Sequence, residues 1–184
     1  MNQEHASLAP TFLVAMPQLQ DPNFSKSVIL LCEHNDGGSM GLVINRDTDT
    51  LASSIVDFDS PPQSESGLEV SIGGPVDPQR GWLLLTEQVS DAVEVAPGLY
   101  LSASREVLRD MVAGTNPGCR CRFLVGYAGW GPKQLDRELA ASAWLTVPVD
   151  TDLLFDAPAD DVWEMAIRRL GIDPSALAMG PGVH

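Results

Sequence analysis

Apolar positions recur along this chain with two different periods, and the change of period separates strand-like from helix-like stretches. Phe12-Leu13-Val14-Ala15 reads as a strand that stops at Met16-Pro17, and Ser27 to Glu33 is an apolar, β-branched run of strand length. Asn35-Asp36-Gly37-Gly38 predicts a turn, and Gly41-Leu42-Val43-Ile44-Asn45 predicts a second strand. Residues 27–45 thus form a predicted β-hairpin. Its near-continuous apolar character predicts a central place, buried on both faces.

Beyond the hairpin, residues 47–67 are rich in Ser, Asp, Pro and Gln, with one short apolar stretch at residues 51–58. That composition predicts a short helix followed by a mobile loop with its tip at residues 61–64. Further strands are predicted from Glu69 to Ile72, ending at Gly73-Gly74-Pro75, from Gly81 to Thr86 and from Leu99 to Ser102. Ser104 is placed to cap a helix over residues 105–113, in which Val107, Leu108, Met111 and Val112 recur at helical spacing and Gly114 supplies the stop. Cys121 to Tyr127 returns to strand. Pro132 stands at a plausible first helical position, with Leu135, Leu139 and Ala143 following at four-residue steps down to Trp144. A last helix is predicted from about Pro158 to Leu170, closed by Gly171. Strands in sequence-adjacent hairpins with helices gathered late predict an α+β domain rather than a doubly wound parallel sheet. Residues 1–7 read as a loose tail, 8–178 as one domain and 179–184 as a flexible Gly/Pro-rich end.

Composition narrows what such a domain could do. At 184 residues the chain is long enough for a full core without disulfide or metal staples. Lys and Arg total 11 against 25 Asp and Glu, a formal charge of −14, and the two lysines, Lys26 and Lys133, are isolated. Binding along phosphates needs clustered cations, so nucleic acid and anionic membrane surfaces are disfavoured as partners. No window approaches the roughly 20 apolar residues of a membrane span, and no apolar leader precedes Lys26. Three cysteines, Cys32, Cys119 and Cys121, form no paired framework, which suits a reducing compartment. A cytoplasmic location is expected.

Several short patterns could carry chemistry. Gly37-Gly38-Ser39-Met40-Gly41 has the G-x-S-x-G spacing of a hydrolase nucleophile elbow, but a strand former follows Gly41 where the elbow needs a helix. Only His184 follows Ser39 in sequence, so the hairpin-turn reading is preferred. In Cys32-Glu33-His34, strand alternation predicts Cys32 and His34 on one face, where the imidazole could stabilise a thiolate. A buried cysteine beside a solvated histidine is the plainer alternative. Cys119-Arg120-Cys121 lacks further ligands for a metal, and Asp47-Thr48-Asp49 and Asp150-Thr151-Asp152 lack the remainder of a calcium loop. No metal or cofactor is expected. The densest aromatic and glycine segment, Gly126-Tyr127-Ala128-Gly129-Trp130-Gly131-Pro132-Lys133-Gln134-Leu135, is predicted to link a strand to a helix, a usual place for a site; Tyr127 and Trp130 could equally seal the core there.

Read together, several motifs resemble the AlgH/YqgE family, also called UPF0301 or DUF179. They are Met16-Pro17 with Leu19, Asp21-Pro22, Phe24 and Ser27-Val28, then His34, Gly41 to Arg46, Gly73-Gly74-Pro75-Val76, and Gly126 to Trp130 with Gln134-Leu135 and Glu138. The resemblance runs from about Leu8 to Gly171. Lys133 stands where that family usually has glycine, Asp47 where proline is common and Ser39 where alanine is usual. The resemblance implies a compact α+β fold around a bent, barrel-like, mainly antiparallel sheet flanked by helices. It implies no established activity, and the label of transcriptional regulator often given to members sits poorly with a charge of −14.

The leading expectation is a non-enzymatic binding or regulatory protein acting on a protein partner or small ligand. Its surface would comprise Asn45, Arg46, Gly73, Gly74, Pro75, Tyr127, Trp130, Gln134 and Glu138. A thiol-dependent activity or redox sensor at Cys32 with His34 is the alternative, and regulation through DNA a third that rests on the family label alone.

Overall fold

The structure is a computed structural model that describes residues 7–57 and 66–178. Apart from Ser7, the expected N-terminal tail lies outside the described residues, as do the loop tip at 61–64 and the Gly/Pro-rich end. The described residues form ten strands and five helices: β1 Thr11–Ala15, β2 Val28–Asn35, β3 Gly38–Val43, β4 Asp47–Leu51, β5 Glu69–Ile72, β6 Val76–Leu85, β7 Val93–Ala96, β8 Leu99–Ser102, α1 Arg105–Ala113, β9 Cys121–Trp130, α2 Gln134–Ala140, β10 Trp144–Val147, α3 Thr151–Phe155, α4 Ala159–Arg168 and α5 Pro174–Ala178. The sheet order is β10-β1-β2-β3-β9-β6-β8-β7, with β5 joined to β9 and β4 to β5. All pairings are antiparallel except β5 with β9, and the sheet does not close into a barrel.

The hairpin is central for the reason its sequence suggests. Val28 and Leu30 of β2 enter a core that α3 and α4 cover with Leu153, Leu154, Trp163 and Ile167. Ile29 and Leu31 point the other way, into a core shared with Trp130, Trp144 and Leu135 of α2. A third cluster gathers Leu83, Leu85 and Phe123 under Val107, Leu108, Met111 and Val112 of α1. That helix is bounded as predicted: the Ser104 hydroxyl accepts from the Val107 N–H at 3.4 Å, and Gly114 ends it at φ 70°.

Five expectations are corrected. Asp47 to Leu51 is a strand, with only a 3-10 turn at Ala52–Ser54 after it. The strand has no apolar face and is held by polar contacts, with Thr48 Oγ1 donating to the Val70 carbonyl at 2.6 Å. The strand predicted from Gly81 begins at Val76, and that predicted to end at Tyr127 runs on to Trp130. Helix α2 begins at Gln134, because Lys133 adopts a left-handed φ of 60° and leaves Pro132 in the preceding turn. The helical spacing that seemed to continue to Trp144 breaks at Ser142, φ 58°, and Trp144 opens β10, which pairs with β1. Three other short elements, β7, α3 and α5, are too brief for periodicity to register.

Where β5 leads into β6, the chain crosses β9 at very short range. A Cβ on Gly74 would stand 2.2 Å from the Tyr127 carbonyl carbon, and one on Gly126, at φ 75°, 2.2 Å from the Gly74 oxygen. Only paired glycines let two backbones approach so closely. The Gly73-Gly74 motif is therefore a crossing point of the sheet.

Arg122 ties this crossing region to the helical layer. Its side chain is 13% exposed, and its Nη1 donates to the carbonyls of Ile44 and Leu154 at 2.7 and 3.0 Å. Its Nη2 donates to Asp47 Oδ1 at 2.5 Å and to Ser71 Oγ at 2.7 Å.

Candidate functional site

The residues expected to form one surface fall in three places. Asn45 is a clamp: its Oδ1 accepts from the Val28 N–H at 2.9 Å, and its Nδ2 donates to the Lys26 carbonyl at 2.9 Å. Arg46 donates to the Ser25 carbonyl at 2.8 Å and, with Gly74, Pro75 and Ile72, lines a shallow recess of about 160 Å³. Trp130, Gln134 and Glu138 belong to an aromatic cluster in the α2 core. Glu138 Oε2 accepts from both Trp130 Nε1, at 2.9 Å, and Trp144 Nε1, at 2.8 Å. Gln134 Nε2 donates to the other carboxylate oxygen at 3.1 Å, and its carbonyl accepts from the Gly131 N–H at 3.0 Å. Phe24 stacks on Trp130 and meets Trp144 edge-on. Trp130 is 6% exposed, so the polar groups of this segment are engaged inside the protein.

Cys32 and His34 do not share a face. The register of β2 against β3 passes from Leu31 opposite Gly41 to Glu33 opposite Met40, so two steps on β2 match one on β3. That bulge inserts Cys32 as the extra residue and reverses the alternation beyond it. Cys32 packs against the core beneath α4 and donates weakly to the Leu30 carbonyl, whereas His34 turns toward α2. Desolvation pushes the Cys32 thiol up to about 12, with the Glu33 carboxylate adding to the rise, and burial does the same for Cys121. At neutral pH the thiol is protonated. Iodoacetamide should therefore modify Cys32 in the native protein at least ~100-fold more slowly than in urea-unfolded chain at pH 8; mass mapping of the alkylated cysteine checks it. The sign for stability follows. The unfolded thiols ionise near 9.0 while the folded ones hold their protons to about 12, so stability present below pH 9 should decline as pH climbs from 9 toward 12.

His34 has two other partners. Its Nδ1 lies 2.6 Å from Ser39 Oγ, and its Nε2 lies 3.3 Å from Asp136 Oδ1. Ser39 faces His34 across the hairpin, and Asp136 comes from the first turn of α2. The glycines around Ser39 do form a hairpin turn, as the sequence suggests, yet a histidine preceding the serine in sequence meets it in space.

A groove of about 500 Å³, with Cys32, Glu33 and His34 of β2 all among its lining residues, opens between β2–β3 and β7–β8. Cys32, Met40, Trp82, Val95 and Leu101 make its walls apolar, and the exposed acidic residues Glu33 and Glu94 line it as well. Trp82 is fixed from two sides, by Arg80 at 4.5 Å over its ring and by Tyr127 edge-on at 6.2 Å. Its Nε1 is the one buried side-chain nitrogen or oxygen among the described residues without a hydrogen-bond partner. The other three indoles are satisfied: Trp130 and Trp144 by Glu138, and Trp163 by the Ala15 carbonyl at 2.8 Å. Neither groove nor orphaned donor is legible in the sequence, because β7 is only four residues long and Trp82 looks like any strand tryptophan. Among the described residues, no group of three or more His, Cys, Asp and Glu is arranged to hold a metal ion, and no helix is long and apolar enough to cross a membrane.

Comparison with known proteins places this geometry among relatives. The family model DUF179, AlgH-like, matches residues 12–175. A UPF0301 protein of Myxococcus xanthus is 42% identical over 182 residues, covering 97% of this chain and 99% of its own. One from Anaeromyxobacter dehalogenans is 40% identical, covering 96% of this chain and 95% of its own. The solution structure of the AlgH protein from Pseudomonas aeruginosa is similar over the full length of both chains, with a TM-score of 0.79 and 36% identity. A crystal structure of a protein from Corynebacterium diphtheriae, 24% identical, shares the fold with a TM-score of 0.72 over 96% of this chain and 94% of its own.

Proposed function

Because the chain belongs to the AlgH-like DUF179 family, whose motif residues here are engaged in holding the fold, we propose that it is a binding protein whose ligand seats in the groove over Trp82. The observation that carries this reading is the orphaned indole N–H. A buried donor without an acceptor costs about 1–3 kcal/mol; Nε1 is itself closed to solvent, so a ligand recovers that cost when the Trp82 ring turns in the groove wall to meet its acceptor. The occupant is a small molecule with an apolar body and one hydrogen-bond acceptor, neutral or cationic, because Glu33 and Glu94 in the lining repel an anion. The groove volume suits it, since ligand sites span about 300–1,000 Å³. Free cysteines fit a cytoplasmic setting for this role. A nucleic acid partner is not part of the reading, with 25 acidic residues against 11 basic ones.

Nile red, apolar with a carbonyl acceptor, is a suitable probe. Its emission should rise saturably with one site per chain, and Val95→Trp, which fills the groove, should weaken binding at least ~10-fold. The anionic probe anilinonaphthalene sulfonate should bind more weakly than Nile red. Equal Nile red binding by the Val95→Trp protein would remove this groove as the site.

A further inference from the structure

We propose that Ser39 is a nucleophile for acyl transfer, with His34 as its base and Asp136 as the residue that positions the base. The site lies on the hairpin face that meets α2. His34 is also among the residues that line the groove, but the proposal rests on the contacts of its side chain with Ser39 and Asp136.

Asp136 Oδ1 lies at an ion-pair distance of 3.3 Å from Nε2, and a carboxylate beside that nitrogen favours the tautomer that carries its hydrogen there. Nδ1 then presents its lone pair to the Ser39 hydroxyl at 2.6 Å. That is a hydrogen bond of the length a general base needs for the proton it removes. The role of Asp136 is to hold one tautomer and to stabilise the imidazolium that forms. Function of this kind is recognised by roles in space and not by residue order, so a histidine five positions before the serine serves as well as one after it.

The frame around these groups is rigid. Ser39 is paired with His34 on one side and with Trp130 on the other. A Cβ on Gly38 would stand 2.4 Å from the Trp130 carbonyl oxygen, so the start of β3 is seated tightly against β9. Leu135, fully buried, fixes the helical turn that carries Asp136. Ser39 is half-buried and the His34 side chain 17% exposed, so neither residue is sealed in the core. The substrate class proposed is small, activated acyl groups such as acetyl esters.

In the first step Ser39 Oγ forms a bond to the ester carbonyl carbon while its proton passes to His34 Nδ1. The tetrahedral adduct collapses, the bond to the leaving oxygen breaks, and that oxygen takes the proton from Nδ1. This leaves acetyl-Ser39 and a free alcohol. Water then attacks the acyl carbon as Nδ1 accepts its proton, and the proton returns to Oγ as the acid departs.

The test incubates the full chain with p-nitrophenyl acetate, follows nitrophenolate release and maps the acetyl group by peptide mass spectrometry. Acetylation of Ser39 is expected in the wild type, none at that position in Ser39→Ala, and a fall of about 100-fold in His34→Gln, the scale of a lost general base. Asp136→Asn should slow Ser39 acetylation at least ~10-fold. It should also shift the His34 imidazole nitrogen resonances away from the Nε2-protonated tautomer, a signature that a purely structural contact would not produce. All three sites are at the surface of the hairpin and α2, and circular dichroism verifies that each variant folds. Acetyl found only on Lys26, Lys133 or a cysteine would overturn the proposal. So would Ser39 acetylation that His34→Gln leaves unchanged.

Discussion

Arg122→Ala is expected to lower the unfolding free energy by about 3 kcal/mol or more, read as the shift of the urea midpoint. The size of the loss follows from which contacts are dry. Asp47 is 44% exposed, so the ion pair itself is screened by solvent and worth about 1 kcal/mol at most. The carbonyls of Ile44 and Leu154 belong to fully buried residues, and each would lose its guanidinium donor. A buried acceptor left without a partner costs about 1–3 kcal/mol. Asp47→Asn, which keeps the guanidinium in place, should therefore cost about 1 kcal/mol or less. If the two substitutions proved equally costly, the stabilisation would lie in the ion pair and the argument from the carbonyls would fail. Burial lowers the Arg122 pKa from its ordinary value, while Asp47 acts in the opposite direction, but a guanidinium stays charged through the working pH range.

Glu138→Ala is expected to cost about 2–4 kcal/mol, because one carboxylate oxygen serves two buried indoles at once. Trp130 and Trp144 are 6% and 4% exposed, so water cannot replace the lost acceptor without opening the cluster around Phe24. Glu138→Gln keeps an acceptor oxygen and should recover more than half of the loss. Calorimetric unfolding of the three proteins decides it. Equal stability of the alanine and glutamine variants would mean that packing, and not the indole hydrogen bonds, fixes this cluster.

These two residues show what a sequence can and cannot disclose. The unbroken apolar run Val28 to Leu31 led to a hairpin buried on both faces, and the structure divides those four side chains between two cores. Ser104 and Gly114 marked both ends of α1 because caps are local chemistry. By contrast, β4 spells Asp-Thr-Asp-Thr-Leu and has no apolar face to announce it. It is held by contacts remote in sequence, with β5 through Val70 and Ser71 and with Arg122. The bulge at Cys32 is equally silent, since alternation has no signal for an extra residue, and it separates the cysteine from the histidine that simple periodicity pairs with it. One contact was within reach. A two-residue turn at Asp36-Gly37 sets Asn35 opposite Gly38 and hence His34 opposite Ser39. Asp136 was beyond reach, as nothing local ties α2 to the hairpin. The motif residues behave consistently. Gly74 and Gly126 permit a backbone crossing, Asn45 clamps the hairpin, and Glu138 satisfies two indoles. The resemblance they carry accordingly specifies the fold far better than it specifies a ligand.

If the groove over Trp82 takes the ligand, the four tryptophans of this protein supply an internal comparison. In a ¹⁵N-labelled sample titrated with Nile red, the indole N–H resonance of Trp82 should move progressively and saturate. The indole signals of Trp130, Trp144 and Trp163, each already bonded inside the protein, should stay in place. A saturating titration in which Trp82 is unmoved, or in which the Trp130 and Trp144 signals move instead, would contradict that placement and return attention to the aromatic cluster of α2.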